Sequence, residues 1–170
     1  WEAQILDHLA ILGQRVDQNG QKLWNNGDAV IVTAGTAAHR RKPVASTDGS
    51  GGAIIAFEVE FTSGEFAGQV DVFGQTITSS GITLSDFPFA IMSTDFQERN
   101  PAITDDGSGG AIVVSELELA VEGLPVDVDI AGQRVNAGGV RLWNQGTPVP
   151  IIASINQDSN PVVVSDGAGG

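Results

Sequence analysis

One ten-residue pattern occurs three times in the chain, and this repetition constrains the fold more than any other feature. Each copy begins with Pro, carries Asp five residues later and ends in the loop Asp-Gly-x-Gly-Gly. The three copies cover residues 43–52, 101–110 and 161–170. Their aspartates, Asp48, Asp106 and Asp166, are therefore 58 and 60 residues apart. A period of this length indicates a series of similar supersecondary units.

A second pattern keeps nearly the same period. The segment Gly13-Gln14-Arg15-Val16 has counterparts at 74–77 and 132–135, and each copy is followed by another glycine and then by a leucine. The glycines are Gly20, Gly81 and Gly139, and the leucines are Leu23, Leu84 and Leu142. Because Asn19-Gly20 is a hairpin signal, we expect the three glycines in hairpin turns and the three leucines buried at equivalent sites.

The segments between these turns read as strands. Residues 53–57 are apolar without alternation, which is typical of a strand buried on both faces, and residues 58–61 then alternate strictly. The Pro of each ten-residue pattern suits the start of a strand because it donates no ladder hydrogen bond. No segment carries a helical period. The sequence therefore predicts an all-β fold with three repeats of about 58 residues, each four-stranded.

The repeats define one domain over residues 1–170. They run approximately from 13 to 73, from 74 to 131 and from 132 to 170, and residues 1–12 complete a repeat. Because the chain begins at Trp1 and both ends fall inside a repeat, we expect a piece of a longer polypeptide. The strand edges of incomplete repeats favour self-association or pairing with neighbouring repeats.

Some of these motifs resemble known repeat families. The hairpin at 134–143 is similar to that of kelch and pyrroloquinoline-quinone-type propeller blades. Together with Gln-Arg-Val and Asp-Gly-x-Gly-Gly-Ala-Ile, it resembles the tandem repeats of large secreted bacterial surface proteins. The resemblance implies β-propeller blades or a part-propeller, in an extracellular or cell-surface location. A closed threefold barrel of the β-trefoil type is the structural alternative.

The composition of the chain disfavours several classes of binding partner and of chemistry. The net charge of −13 disfavours nucleic acid, whose phosphates an acidic surface repels. No apolar run is long enough for a transmembrane helix, so no membrane insertion is expected. The absence of Cys excludes thiolate metal sites, and the absence of Tyr excludes sialidase chemistry.

The repeated loop aspartates are the candidate metal ligands. Asp48, Asp106 and Asp166 recur in glycine-rich loops of an acidic protein, and Ca²⁺ is the cation that carboxylate oxygens would favour. Each loop lacks the closely spaced acidic residues of an EF-hand, however. The simpler interpretation is that each aspartate caps its own turn through backbone N–H groups, with no cofactor bound.

Three glutamates are the candidate ligand-binding residues. Glu2, Glu58 and Glu116 occupy the same repeat position, and Glu60 follows Glu58 at a spacing compatible with a glycosidase carboxylate pair. An active site seldom needs three copies of its acid, so outward, solvated strand positions explain the pattern better. A ring of glutamates that gathers a cation or an amine is the alternative.

No catalytic arrangement is apparent, and the chain is not expected to be an enzyme. Trp24 and Trp143 recur at one repeat position, which favours packing over sugar stacking and predicts a cost of about 3–5 kcal/mol for Trp143→Ala. We expect a non-catalytic structural or adhesive repeat module of a secreted or cell-surface protein, assembling through β-sheet edges. A propeller that binds or cleaves carbohydrate is the alternative.

Overall fold

The described chain consists of strands joined by tight turns. The computed structural model describes residues 1–5, 8–120 and 122–170. Two short 3₁₀ turns, at Asn25–Gly27 and Asn144–Gly146, are its only helical elements, and no described helix is long and apolar enough to cross a membrane. The strands are β1 (Glu2–Ile5), β2 (His8–Gly13), β3 (Val30–Thr33), β4 (Ala38–Thr47), β5 (Ala53–Phe61), β6 (Val70–Ile77), β7 (Phe89–Met92), β8 (Gln97–Asp105), β9 (Ala111–Leu119), β10 (Asp127–Val135) and β11 (Val149–Ile152).

These strands form three antiparallel sheets that follow one another along the chain. The first sheet has the order β1-β2-β3, the second β4-β5-β6-β7 and the third β8-β9-β10-β11. The all-β prediction is confirmed, and the second and third sheets have the expected four strands. The sequence-based repeat boundaries at 74 and 132 fall inside β6 and β10. The second and third sheets instead begin at β4 and β8.

The sheets stack face to face, and the second sheet is buried on both sides. Ile55 and Phe57 of β5 pack with the first sheet, whereas Ile54 and Ala56 pack with the third. Alternate residues of a strand point to opposite faces, so an uninterrupted apolar run is needed where both faces are covered. The predicted two-sided burial of this strand is therefore confirmed.

Each sheet keeps its ladder hydrogen bonds to itself. The strand order of every sheet is linear, and no closed barrel is formed by the described strands. The alternative of a closed threefold β-trefoil-like barrel is therefore wrong. Contacts made by side chains, and not strand pairing, join each sheet to the next.

Two of the three prolines of the repeated pattern lie inside strands and not at their starts, whereas Pro161 lies outside the assigned strands. Pro43 is within β4 and Pro101 within β8, and the register of both strands shifts there, between Arg41 and Val44 and in the equivalent part of β8. A bulge leaves one residue outside the ladder, so proline costs no ladder hydrogen bond at that position. The prediction that each of these prolines stands where no ladder hydrogen bond is donated is therefore confirmed. The prediction that it begins the strand is wrong.

The hairpin glycines are where the sequence places them. Gly20, Gly81 and Gly139 have φ values of 78°, 84° and 82°, and each donates its N–H to the residue three positions earlier. The leucines that follow are exposed and not buried, at 49%, 57% and 46% for Leu23, Leu84 and Leu142. Neighbouring side chains of an extended segment point to opposite sides, so Trp24 and Trp143 face the stack and the leucines before them face solvent, whereas Ser85 after Leu84 is itself exposed.

The last residues lie against the third sheet like the first strand of a further unit. The N–H of Asp158 donates to the carbonyl of Val128 at 2.7 Å. Residues 161–165 belong to no assigned strand, and Val162 and Val164 are 93% and 84% exposed. The expected strand is not assigned here, because no described strand pairs with this segment.

Candidate functional site

The repeated glutamates hold each unit to the next one. In the second sheet, the Oε1 atom of Glu58 accepts a hydrogen bond of 2.8 Å from the backbone N–H of Asn100 in the third sheet. Asn100 stands at the bulge of β8 with φ of 51°, and this conformation turns its N–H out of its own ladder. The same contact occurs from Lys42 to Glu2 at 2.6 Å and from Asn160 to Glu116 at 2.7 Å.

Side chains complete these glutamate contacts. The ammonium of Lys42 lies 3.0 Å from Glu58 and donates to the Oδ1 atom of Asn100. In the next unit, the Nδ2 atom of Asn100 donates to Glu116 at 2.5 Å. A carboxylate that accepts from both a backbone N–H and a polar side chain makes charge-assisted bonds, which are stronger than neutral ones.

The expected solvation of these positions is wrong for two of the three glutamates. Glu58 is 3% exposed and Glu116 7% exposed, whereas Glu2 at the edge of the first sheet is exposed. A buried carboxylate needs partners to offset its lost hydration, and the bulge of the following unit supplies them. The three side chains stand in successive interfaces and form no ring.

The glutamates two positions further along make ion pairs within their own sheets. Arg41 lies 2.8 Å from Glu60, and Arg99 lies 3.0 Å from Glu118. The possible glycosidase pair of Glu58 and Glu60 is therefore engaged in structural contacts at both carboxylates.

The loop aspartates cap their own turns, as the simpler interpretation expected. The Oδ1 atom of Asp48 accepts from the N–H groups of Ser50 and Gly52, both at 2.8 Å. The Oδ1 atom of Asp106 accepts from residues 108 and 110 at 2.8 and 2.7 Å, and that of Asp166 from residues 168 and 170 at 2.7 and 3.0 Å. This capping role is confirmed in all three loops.

Hydrogen bonding lowers the pKa of the capping aspartates. Burial raises the pKa of Asp106, but hydrogen bonds from Arg134 and from the N–H groups of Ser108 and Gly110 outweigh it, so the pKa lies below its ordinary value. The pKa of Asp166 is lowered chiefly by the N–H groups of Ala168 and Gly170. These carboxylates are held ionised by the turns that they stabilise.

The geometry of these loops favours capping over metal binding. Each loop presents one capping aspartate, whose Oδ1 atom already accepts two N–H groups. Among residues 1–5, 8–120 and 122–170, no three His, Asp or Glu side chains are grouped so that they could hold a metal ion. Ca²⁺ binding at Asp48, Asp106 or Asp166 stays an untested prediction.

A buried acidic pair escaped the sequence analysis. Glu98 of β8 is 0% exposed and accepts hydrogen bonds from the N–H and hydroxyl of Thr94, the former at 3.1 Å. Asp71 of β6 is 4% exposed and accepts from the hydroxyl of Ser93 at 2.6 Å. Burial raises the pKa of Glu98 to about 8; hydrogen bonds from Thr94 oppose this rise, and the charge of Asp71 adds to it.

The acidic pair links the second and third sheets without resembling a hydrolase site. With its raised pKa, Glu98 keeps its proton at neutral pH beside the carboxylate of Asp71, whose charge opposes a second negative charge there. Glycosidases require two carboxyl groups about 5–9.5 Å apart that a substrate can reach, and this pair is buried and in contact. Acidic residues recur at both equivalent positions, as Asp129 and Asp158, and that spacing could have revealed the pair.

The repeated tryptophans differ in their surroundings. Trp24 is 6% exposed, and its indole N–H donates to the carbonyl of Ser79 at 2.9 Å. Its ring lies over Gly81, where an added Cβ would stand 2.7 Å from Cγ of the indole. Trp143 is only half-buried. Trp24 therefore packs the first unit against the hairpin turn of the second unit. Because the ring is buried, neither of its faces is available to a sugar.

Comparison with known proteins adds no relative. No protein family, curated protein or solved structure matches the chain at a significant level.

Proposed function

We propose that the chain is a non-catalytic structural or adhesive repeat module of a secreted or cell-surface protein, in which stacked β-sheets assemble through their edges. The observation that carries this proposal is the repeated glutamate contact. The carboxylates of Glu2, Glu58 and Glu116 accept hydrogen bonds from the backbone of the next unit and are engaged there instead of with a substrate. A contact that recurs in every repeat is expected to stabilise the whole stack of sheets.

The resemblance to propeller blades belongs to the same proposal. Four-stranded antiparallel units in face-to-face contact are compatible with blades of a part-propeller of the kelch or pyrroloquinoline-quinone type, and equally with a straight array. The tandem repeats of large bacterial surface proteins are the setting that such units suggest. An acidic surface of net charge −13 suits an exposed, soluble array.

A matched pair of variants tests the structural role. Glu58→Ala removes the acceptor for Asn100 and the partner of Lys42, and we expect a loss of about 2–4 kcal/mol in the free energy of unfolding. Glu60→Ala removes a half-exposed ion pair of the same strand and should cost about 0.5 kcal/mol. Urea unfolding measures both, and amide hydrogen exchange should show lost protection at Asn100 only in Glu58→Ala.

Binding and hydrolysis assays test whether the chain instead binds or cleaves carbohydrate. A glycan array and a panel of glycoside substrates should give no specific signal with the unmodified chain. Specific micromolar binding to one sugar, abolished by a change at Glu58 or Glu116 that leaves the fold intact, would overturn the structural role in favour of a carbohydrate-binding propeller. Equal stability losses in the two glutamate variants would also contradict it.

A further inference from the structure

The amine of Lys42 lies against the side-chain amide of Asn100. The Nζ atom of Lys42, on the bulge of β4, donates to the Oδ1 atom of Asn100, on the bulge of β8, at 2.5 Å. Because a carbonyl bond is about 1.2 Å long, Nζ lies within about 3.7 Å of the Cγ atom of Asn100. Reacting atoms in a near-attack arrangement are about 3–3.5 Å apart. A lysine amine that has lost its proton is a nucleophile toward carbonyl carbon.

A buried carboxylate stands beside this amine. The Oε1 atom of Glu58 lies 3.0 Å from the Nζ atom of Lys42, and Glu58 is buried. The same oxygen accepts from the backbone N–H of Asn100 at 2.8 Å, which fixes the carboxylate between the amine and the amide. A general base must lie within hydrogen-bond reach of the proton that it abstracts. Glu58 meets this condition for the ammonium of Lys42.

A second buried carboxylate holds the amide nitrogen of Asn100. Its Nδ2 atom donates to the Oε2 atom of Glu116 at 2.5 Å, and Glu116 is buried. The amide is oriented from both sides, because its oxygen accepts from an ammonium and its NH₂ group donates to a carboxylate. The reverse orientation would place the NH₂ group against the ammonium and the oxygen against the carboxylate. The amide therefore has one favoured orientation, with its nitrogen on Glu116.

Lysine is an exception at this position of the repeat. Lys42, Asn100 and Asn160 are equivalent, and their φ angles are 49°, 51° and 56°. Asparagine enters the left-handed region more readily than lysine does. Lysine thus occupies a backbone conformation that suits it less well, at the place where its amine reaches the asparagine of the next unit. The following interface has two asparagines at this position, Asn100 and Asn160, and neither carries an amine.

We propose that Lys42 and Asn100 react with each other and form an amide cross-link between the second and third sheets. The bond from Nζ to Cγ forms, and the bond from Cγ to Nδ2 breaks. Nζ loses two protons, the first of them to Glu58, and both finally reside on the departing nitrogen. This nitrogen leaves as ammonium, so the charge of the lysine is conserved and no oxidant or reductant is needed. Glu58 acts as the general base, and Glu116 orients the leaving nitrogen.

The cross-link goes beyond the proposed structural role, because the sheets can stack through the same contacts without it. The side chain of Lys42 is half-exposed, which gives the departing ammonium a route to solvent. The new bond closes a covalent loop from residue 42 to residue 100, and such a loop restricts the unfolded chain. It also keeps the second and third sheets attached when the non-covalent contacts between them open.

Intact-mass spectrometry tests for the reaction. After several days in neutral buffer, the unmodified chain should be lighter than its sequence by about 17 Da, the mass of one ammonia. Lys42→Arg keeps the positive charge without a reactive amine, and Lys42→Asn introduces the residue of the other two repeats; both should keep their full mass. Lys22→Arg is the matched control, since Lys22 is the other lysine of the chain and is exposed, and it should lose the same mass as the unmodified chain.

Digestion with trypsin locates the bond. Trypsin cuts after Arg41, Arg99 and Arg134 and not between Lys42 and Pro43, so it releases the peptides 42–99 and 100–134. In the cross-linked chain these two peptides should stay joined through their first residues, whereas in Lys42→Asn they should separate. An asparagine that loses ammonia by closing on its own backbone would leave the two peptides separate, so the digest distinguishes that reaction from the cross-link.

Glu58→Gln tests the role of the base. The amide keeps the size of the side chain but does not take up a proton, so the loss of mass should be slower by about 100-fold or more. Circular dichroism establishes that the variant is folded. A folded Glu58→Gln chain that reacts as fast as the unmodified one would overturn the assignment of Glu58 as the base.

Three outcomes would overturn the cross-link itself. These are an unmodified chain that keeps its full mass, a lighter chain whose peptides 42–99 and 100–134 separate, and an equal loss of mass in Lys42→Asn. None of them changes the hydrogen exchange expected at Asn100 or the glycan assays, so failure of the cross-link is distinguishable from failure of the proposed function.

Discussion

The interface between the first and second sheets and the interface between the second and third are built alike but charged differently. Both have a glutamate that accepts from a bulge N–H, and both have an aromatic ring over a turn glycine. At the equivalent position of β4 and β8, however, the first interface has Arg40 and the second has Glu98. The glutamate and aromatic contacts are therefore the same in both interfaces, whereas the charged side chain at this position of β4 and β8 differs.

The two charged residues are accommodated in different ways. Arg40 donates to the carbonyls of Gly35 and Ala38 at 3.2 and 2.9 Å and to the hydroxyl of Thr33 at 3.1 Å. Glu98 instead keeps its proton beside Asp71. A buried cation is satisfied by carbonyls that any sequence provides, whereas a buried acid needs a second polar side chain or a proton. The second interface is therefore expected to be sensitive to pH through Glu98.

The largest effect should come from the first interface. Trp24→Ala removes a buried indole and its hydrogen bond to Ser79, and we expect a loss of about 3–5 kcal/mol in the free energy of unfolding. Trp143→Ala should cost about 1–2 kcal/mol in the monomer, below the value that the sequence alone predicted, because Trp143 is half-buried. Chemical denaturation of both variants checks the order. Equal losses would mean that both rings are equally packed.

The second interface should be broken by a single methyl group. Gly139→Ala combines a φ of 82° with a Cβ that would stand 2.3 Å from Phe89, and we expect a loss of about 3 kcal/mol. Gly20→Ala has a similar φ of 78° but nothing nearby, and should cost about 1 kcal/mol. Thermal unfolding of the two variants isolates the packing part. A difference below about 0.5 kcal/mol would contradict the aromatic contact.

A smaller effect should distinguish the interfaces by pH. The pKa of Glu98 is raised from 4.5 to about 8 in the folded state, so the folded protein holds more protons than the unfolded one between these values. This stabilisation is fully present below pH 4.5 and is lost as the pH rises through 8. We expect the free energy of unfolding to fall by up to about 3 kcal/mol from pH 5 to pH 8.

Glu98→Gln provides the control for that dependence. The amide can donate to Asp71 without titrating, so the fall between pH 5 and pH 8 should disappear in this variant. Urea unfolding at both pH values gives the comparison. A variant that keeps the full pH dependence would show that another group causes it. Below about pH 4 both proteins should weaken, because protonation of Asp106 opposes the hydrogen bonds that lower its pKa.

Much of the fold was predictable because it depends on local chemistry. The Asp-Gly-x-Gly-Gly loops and the turns at Gly20, Gly81 and Gly139 follow from positive φ angles and from side chains that bond their own backbone. The two-sided burial of residues 53–57 follows from composition. The leucines were misplaced because an extended segment can turn either face inward, and only the neighbouring sheet decides which.

The candidate site was predicted in position but not in role. The recurrence of Glu2, Glu58 and Glu116 is visible in the sequence, yet their acceptor function depends on a bulge about 40 residues further along the chain. The pairing of Asp71 with Glu98 likewise joins residues of different sheets. Nothing in the local pattern distinguishes a buried acidic residue from a solvated one.

By itself, the sequence determined the repeat, the strands and the turns, because each depends on residues close together along the chain. The tertiary structure decided that the units stack as open sheets and that glutamates and not leucines are buried between them. These outcomes depend on the burial and hydrogen bonding of groups from different repeats, and the energy of such contacts exists only once the sheets have come together.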